Sequence, residues 1–432
     1  MLDYLIIYNC STTVPFVCLL RYPLSINGER SQMIAEDTET KQQSPTTFRQ
    51  WSSYLEELHA RIAHRFRRPE VRKRTRSYIA GLFSDVGRKN GWQMAESMGE
   101  TRPRGVQHLL NDACWDADGV RDDLREYVVE HLGDEESGVL IVDETGFLKK
   151  GEKSVGVARQ YTGTAGKKEN AQVGVFLCYA SDGGSAFIDR ALYLPEGWAA
   201  DPDRRTEAGV PEEALFATKG SLAKVMLERA FEAGVPARWI VADTFYGTAR
   251  GLRGWLEGRG RSYVLAVPAN RGIHHEGHQR QARKVAEGLP EEAWFRASAG
   301  EGSKGERLYD WACVALPEPE ASGAGRWLLV RRRRSLAEPE EMAYYLCYGP
   351  AETTAQELIR IAGSRWRVED GFAEAKGECG LDEYEVRKWE GWHRHVTLAL
   401  LAHAYLTVVR SVAAREEDAA KKGTSPLVST PS

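Results

Sequence analysis

Apolar side chains in the first third of the chain recur at the three- and four-residue intervals of an amphipathic helix. The predicted helices cover residues 48–79, 91–110 and 116–132. Pro69 and Pro103 are expected to break the first two, because proline cannot continue a helix from within. These elements predict an all-α domain over residues 48–135.

From residue 138 onward, short apolar runs replace the helical period. Strands are predicted at 138–142, 171–180 and 185–194, with a hairpin turn at 181–184. Helical and extended patterns then alternate, as helix 221–233, strand 237–242, helix 250–257 and strand 263–267. Three strands followed by this alternation predict an α/β layer with a mixed sheet over residues 136–270.

The pattern changes again at residue 271. Strand candidates separated by turn residues predict a β-rich insertion over 271–350, and helices return over 351–412. A helix at 391–411 is apolar nearly all round, so we expect it to be buried. Residues 1–47 are predicted to be a poorly ordered extension, and residues 413–432 a disordered tail.

Composition narrows the class of protein. The 432 residues suffice for two or three structural units, and 42% hydrophobic with 28% charged residues is ordinary for a soluble protein. The seven cysteines are scattered, odd in number and without a CxxC pair, so they indicate neither a zinc site nor a disulfide framework and fit a reducing cytoplasm. No helix is expected to be long and apolar enough to span a bilayer. His393 and His395 lack cysteine partners at zinc spacing, and neither a P-loop nor a GxSxG motif occurs.

Charge is unevenly distributed although the formal net charge is only -4. Residues 61–76 carry many cations and one acid, Glu70. The candidates for nucleic-acid contact in this stretch are Arg65, Arg67, Arg68, Arg72, Lys73 and Arg74. A local basic patch can bind a polyanion whatever the net charge. A solvated helix face explains the stretch equally well.

A second charged pattern lies near the carboxyl end. Arg365, Glu369 and Lys376 are spaced so that, on a helix, all three fall within an arc of about 40°. One face would then present a carboxylate between two cations, which suits a divalent metal held beside a phosphate. Ion pairs on a solvated helix are the alternative.

Two aspartates follow predicted strands. Asp143 ends the strand at 138–142, and Asp243 ends the strand at 237–242. Acids at the carboxyl ends of neighbouring strands, with Glu369 on a covering helix, could hold two Mg²⁺ ions about 3.5–4 Å apart. Either aspartate alone could instead be a turn residue or helix cap. Glu144 and Asp189 are competing acids.

These blocks together resemble the DDE transposases of bacterial insertion sequences. The blocks are 142–147, VDETGF; 242–247, ADTFYG; and Arg365-x3-Glu369-x6-Lys376, with support from 159–166, 170–174, 192–195 and Trp198. The resemblance spans about residues 48–412. It implies an RNase H-like core interrupted by a β-rich insertion. It also implies that Asp143, Asp243 and Glu369 bind metal and that Arg365 and Lys376 contact DNA phosphates.

The sequence departs from the family at one position. The family's tyrosine three residues before the arginine is replaced by Ala362. The resemblance also implies an aromatic residue in the insertion that stacks on a flipped base. Trp294, Trp311 and Trp327 are the candidates there, with packing in the core as the alternative role.

The resemblance predicts a cut-and-paste transposase with a helical DNA-binding domain, acting in the bacterial cytoplasm and at the nucleoid. The expected cofactor is a pair of Mg²⁺ ions, with Mn²⁺ as a substitute. The expected partners are double-stranded DNA, as terminal inverted repeats and target, and further copies of the chain on paired ends; no membrane or nucleotide is expected. Three alternatives stay open: a DNA-binding regulator on an inactive scaffold, a metal-dependent endonuclease without strand transfer, and an α/β protein whose acids are only caps.

Overall fold

The computed structural model describes residues 45–302, 305–317, 323–333 and 341–421, with side chains from residue 51 onward. Residues 1–44 of the predicted extension and residues 422–432 of the predicted tail lie outside these ranges.

Five helices open the described chain, where the apolar period predicts them. They are α1 Pro45–Ile62, α2 Pro69–Leu82, α3 Gly91–Ser97, α4 Arg104–Asn111 and α5 Ala117–Leu132, with a 3₁₀ turn at Ala63–Arg65. Asn90 caps α3, because its side chain accepts the N–H groups of Trp92 and Gln93 at 3.0 Å. Asp116 caps α5 in the same way. The predicted breaks at Pro69 and Pro103 are confirmed as helix starts.

The central sheet begins after α5. Its strands and the helices between them are β1 Val139–Leu148, β2 Ala158–Thr162, β3 Lys167–Ser181, β4 Gly184–Tyr193, α6 Glu196–Ala199, α7 Pro202–Ala208, α8 Lys219–Glu232, β5 Trp239–Ala242, α9 Thr244–Gly247, α10 Leu252–Glu257 and β6 Ser262–Val267. The sequence pattern missed β2. Its half-exposed residues alternate with exposed ones and give no apolar run.

The strand order confirms the predicted RNase H-like mixed sheet. The order across the core is β4-β3-β1-β5-β6. β3 runs antiparallel to both β1 and β4, whereas β5 is parallel to β1 and β6 is parallel to β5. β5 ends at Ala242 beside Val142, whereas β1 continues past it to Leu148.

The insertion extends the same sheet. It contains β7 Gly272–His275, β8 His278–Gln281, α11 Ala282–Glu287, a 3₁₀ turn at Glu291–Ala293, β9 Phe295–Gly302, β10 Gly305–Ala315, β11 Ala324–Arg333 and β12 Glu341–Pro350. β12 pairs with β6, and β11, β10 and β9 continue outward in antiparallel order, which gives a ten-stranded sheet. β7 and β8 form a separate hairpin.

Three helices complete the fold: α12 Ala355–Ser364, α13 Trp366–Gly377 and α14 Trp389–Lys421. The long helix α14 packs against β4 and α5, so the N-terminal helices and the sheet share one apolar core. Its continuation to Lys421 shows that the predicted disorder from residue 413 is wrong for residues 413–421. The last turn of the helix carries exposed charged residues, among them the ion pair of Lys421 with Asp418, and therefore faces solvent.

Helix α14 also corrects the expectation that no helix is long and apolar enough to span a bilayer. By length and composition α14 could cross a membrane, with a mean hydropathy of 1.6 over its most apolar window. However, 78% of that window is buried inside the protein. Its apolar surface is therefore used by the core, as predicted for residues 391–411.

Candidate active site

Asp143 and Asp243 lie side by side at the edge of the sheet. β1 and β5 pair in parallel register up to Val142 and Ala242, and the aspartates come next. Asp243 follows the end of β5, whereas Asp143 lies within β1, so the prediction that the first strand ends at Asp143 is wrong. Burial, and after it the nearby charge of Asp243, raise the pKa of Asp143 to about 7. Burial also raises the pKa of Asp243. Two carboxylates that disfavour each other's ionised form are a setting in which a bound cation is stabilised.

Both aspartates also make local hydrogen bonds. Asp243 Oδ1 accepts the amides of Phe245 at 3.0 Å and Tyr246 at 3.3 Å, and so caps α9. Asp143 Oδ1 accepts the amide of Glu144 at 2.7 Å. The cap predicted as an alternative role is present, but it does not account for two acids lying together with both side chains half-buried. Capping of an isolated helix would be served as well by an exposed side chain.

Glu144, the competing acid, is held by two partners. Lys219 Nζ donates to its Oε1 at 2.5 Å, and the Tyr246 hydroxyl donates to its Oε2 at 2.6 Å. These two hydrogen bonds connect β1 to α8 and α9. Sequence analysis missed Lys219 and Tyr246. Tyr246 stands in the Asp243 block, but nothing local marks Lys219, which is 75 residues from its partner.

Glu369 is engaged by Arg365. The two lie four residues apart, and Arg365 Nη1 donates to Glu369 Oε1 at 2.7 Å. Arg365 also lies close enough to Asp143 and Asp243 to oppose the rise in their pKa. The guanidinium thus stands among all three predicted metal ligands. Within the described ranges no three His, Cys, Asp or Glu side chains converge closely enough to hold a metal.

The donor set nevertheless fits a divalent cation. Two half-buried carboxylates offer oxygen ligands, and their charge repulsion is only partly offset by Arg365. The third carboxylate, Glu369, has a side chain 42% exposed and held by a single cation. The Glu369 carboxylate is released when the Arg365 guanidinium binds another anion in its place.

Lys376 lies further along β1 from the acid pair. Its Nζ donates to Thr145 Oγ1 at 2.8 Å and to Thr164 Oγ1 at 3.4 Å. Because Thr145 is two residues beyond Asp143 on one strand, both side chains point to the same face of the sheet. The helix face of Arg365, Glu369 and Lys376 therefore follows the face of β1 that carries Asp143.

Asp189, the other competing acid, belongs to the core. Its carboxylate is bound by Arg229 at 2.9 and 3.1 Å and lies 3.8 Å from Arg121, and its side chain is 1% exposed. These contacts join β4 to α8 and α5. Asp189 is a structural acid.

The basic stretch divides into two groups. Arg65 binds Asp123 at 2.7 and 2.9 Å, Arg74 binds Glu100 at 2.9 and 3.1 Å, and Arg72 donates to the Phe66 carbonyl at 3.2 Å. Three cations remain exposed and make no ion pair within the described residues: Arg67, Arg68 and Lys73. Only this second group is available to an external anion.

The aromatic candidates of the insertion differ in exposure. Trp311 is 1% exposed and packs near Tyr345, with ring centroids 6.2 Å apart. Trp294 is half-buried beneath Arg332, whose guanidinium carbon lies 3.9 Å from the ring. Trp327 is half-buried against the core. Ala362 is 4% exposed in α12, so its methyl group serves packing.

Comparison with known proteins settles the family. A model of the DDE superfamily endonucleases matches residues 61–296, and a model of the transposase DDE domain matches residues 218–405. The chain belongs to the DDE superfamily endonucleases. The first match covers more than half of the chain and contains Asp143 and Asp243, and the second contains Asp243 and Glu369.

Individual relatives agree with this membership. The chain is 24% identical over 314 residues to a probable transposase for insertion sequence element IS701 of Microchaete diplosiphon, which covers 71% of this chain and 74% of that one. A cryo-EM structure of the piggyBac transposase in a synaptic complex with hairpin DNA covers 91% of this chain and 71% of its own, with 11% identity and a TM-score of 0.39. At that TM-score the structural likeness carries no weight. The predicted resemblance to DDE transposases is confirmed, and the chain is an endonuclease of the transposase type.

Proposed function

We propose that this DDE endonuclease is a cut-and-paste transposase, which binds terminal inverted repeats, cuts DNA beside them and joins the ends to a target. The observation that carries the proposal is the half-buried pair Asp143 and Asp243, placed where the parallel pairing of β1 and β5 stops, with Arg365 and Glu369 beside it. Cutting hydrolyses a phosphodiester with water, and joining exchanges one phosphodiester for another, so neither step requires a nucleotide.

Asp143, Asp243 and Glu369 are the residues that would hold two Mg²⁺ ions, or Mn²⁺ in their place. Bound there, the metal would supply charge stabilisation to the attacking and leaving oxygens of an in-line displacement. The chain contributes the carboxylates, their fixed positions on and beside the rigid sheet, and the partial burial of the two aspartates, which strengthens electrostatic interactions.

Arg365 couples DNA binding to completion of the site. In the DNA-free chain its guanidinium pairs with Glu369. A DNA phosphate offers it a second anion of suitable geometry, since guanidinium groups bind phosphates through parallel hydrogen bonds. Exchange of partners frees the Glu369 carboxylate to turn toward Asp143 and Asp243. Lys376, already on the same face, then holds a neighbouring phosphate.

The assay that tests the proposal distinguishes three outcomes: ends joined to target, ends cut but not joined, and DNA bound but not cut. Purified protein is incubated with Mg²⁺, a labelled DNA carrying the element's terminal repeat, and an unlabelled target. Labelled ends joined to target support the transposase. Cut but unjoined ends would establish an endonuclease, and specific binding without cutting would establish a regulator; either result contradicts the proposal.

Arg365→Ala should reduce the rate of cleavage at limiting DNA by about 10- to 100-fold, the size expected for a charge-assisted hydrogen bond. Arg367→Ala is the matched control, because Arg367 donates to the Ser181 carbonyl on the other side of the helix. Cleavage kinetics would be followed on end DNA. Kinetics unchanged by Arg365→Ala would remove Arg365 from its assigned role.

The exposed cations of the basic stretch should contact the DNA backbone. The triple variant Arg67→Ala, Arg68→Ala, Lys73→Ala is expected to weaken end binding and to flatten the salt dependence of log Kd by about one unit per lost contact. Arg65→Ala is the contrasting variant. It leaves the 6% exposed Asp123 carboxylate without its main partner, so it should lower the free energy of unfolding by about 1–3 kcal/mol. A triple variant with wild-type affinity and salt slope would exclude this helix from DNA contact.

Two copies of the chain are expected to act together, one on each end of the element, because both ends must reach one target. Native mass spectrometry of the chain with end DNA measures this stoichiometry directly.

A further inference from the structure

A charged cleft lies beyond the far end of β1. Its volume is about 1140 Å³, and it separates the N-terminal helices from the end of the strand and from residues 382–387. The start of α3 forms one wall, and Leu148, Lys149 and Lys150 form another. A space of this volume has room for part of one nucleic-acid strand.

Cations outnumber acids in the cleft, although the whole chain is acidic. The cations of its lining are Arg88, Lys89, Lys149, Lys150, Lys153 and Arg387, and the acids are Asp112, Glu152, Asp382 and Glu385. Arg88, Lys150 and Arg387 are exposed, and none of them makes an ion pair within the described part of the chain. They lie on three different walls and face a common space, which is how a single polyanionic strand is held.

The cleft continues a row of cations that begins at the acid pair. Arg365 lies beside Asp143, and Lys376 is bound to Thr145 two residues along the strand. Lys149 and Lys150 follow where the strand ends. The Lys149 amide donates to the Asn170 carbonyl at 2.9 Å, so this residue still follows the path of the sheet.

Strand geometry gives the length of this row. Six residues separate Asp143 from Lys149, and at about 3.3 Å per residue they span about 20 Å. Successive base pairs of DNA rise about 3.4 Å. A DNA end whose cut phosphate lies at Asp143 and Asp243 would thus reach the cleft about six base pairs inside the element.

Apolar surface at the mouth of the cleft suits the sugars and base faces between phosphates. Trp92 is 55% exposed and Leu148 is 53% exposed, one on each side. The capping bonds from Asn90 fix the backbone that carries Trp92. A large exposed apolar side chain on a rigid element often marks a binding surface. Nucleic-acid bases commonly stack against such aromatic side chains.

We propose that this cleft binds the sugar–phosphate backbone of the element's end about six base pairs inside the cut, with Arg88, Lys150 and Arg387 contacting phosphates and Trp92 contacting a sugar or base. The inference rests on the proposed function. It assigns to this chain a second, subterminal contact with the DNA, separate from the acid pair and from the basic stretch at residues 67–73.

The test combines neutral phosphates in the DNA with charge removal in the protein. End DNAs carry methylphosphonate linkages at steps five to seven from the cut, or at steps fifteen to seventeen as the DNA control. The protein variants are Arg88→Ala with Lys150→Ala, and Arg280→Ala with Arg283→Ala, which removes two exposed charges outside the cleft. Affinity is measured over a range of salt concentrations, and thermal unfolding verifies that each variant is folded.

The proposal expects steps five to seven, but not fifteen to seventeen, to weaken wild-type binding several-fold. It expects the Arg88/Lys150 variant to lose affinity, to show a salt slope shallower by about two, and to be insensitive to neutral phosphates at steps five to seven. Wild-type protein that binds and cuts the end but ignores those phosphates would overturn the cleft assignment alone. Protein that neither selects nor cuts the end would overturn the proposed function and this inference with it.

Discussion

Asp143→Asn and Asp243→Asn are each expected to lower the rate of DNA cleavage by at least about 10³-fold, while affinity for the terminal repeat stays within twofold of wild type. Asparagine keeps the shape of the side chain and its cap to the following amides, but it removes the charge that would hold a divalent cation. Loss of the several kcal/mol that a bound metal contributes corresponds to this factor. Single-turnover cleavage and filter binding measure the two quantities.

The matched control for both variants is Asp182→Asn, the same substitution at an exposed position in the turn between β3 and β4. It should leave both cleavage and binding unchanged. Glu369→Gln should behave like the two aspartate variants. Cleavage retained by any one of the three would remove that residue from the site, and loss of DNA binding together with cleavage would indicate a structural role.

The acid pair should also make the metal-free protein less stable as pH rises. The pKa of Asp143 is raised to about 7 in the folded chain, chiefly by burial, from an ordinary value near 3.8. Between about pH 4 and pH 7 the folded state therefore binds more protons at this group than the unfolded state does, and the free energy of unfolding falls as pH increases. Above pH 7 the full penalty applies, and a shift of this size corresponds to at most about 4 kcal/mol.

Asp143→Asn should remove that pH dependence. In EDTA at pH 8 the variant is expected to have a higher free energy of unfolding than wild type, whereas at pH 4 the two should be alike. Added Mg²⁺ should stabilise wild type at pH 8 and leave the variant unaffected, because only the wild type has the charge to bind it. Denaturant titrations at both pH values measure these differences, and parallel pH profiles for the two proteins would contradict this account of the pair.

The two aspartates could be predicted because the information lies close along the chain. Each follows a run of apolar residues that is fully buried as a strand, and parallel pairing of those strands brings the two ends together. The helix face of Arg365 and Glu369 was predictable for the same reason, since i,i+4 spacing is local. The structure contains the Arg365–Glu369 ion pair, and the metal-site interpretation of that face stays a prediction.

Contacts between distant segments could not be predicted. Pairing of β12 with β6 depends on backbone hydrogen bonds that no side-chain pattern records. The sequence pattern therefore did not show that the insertion extends the sheet. The partners of Glu144 come from two other elements, and Arg65 and Arg74 are neutralised by acids on other helices. A run of cations in the sequence therefore overstated the basic surface by including those that serve the core.

The most direct test of the account is to locate the metal in a complex of the chain with end DNA. Crystals grown with Mn²⁺ give anomalous scattering that marks each ion. We expect two anomalous peaks, bound by the carboxylates of Asp143, Asp243 and Glu369. We also expect the Arg365 side chain to have moved from Glu369 to a DNA phosphate. Peaks elsewhere, or an occupied site with Glu369 still paired to Arg365, would contradict it.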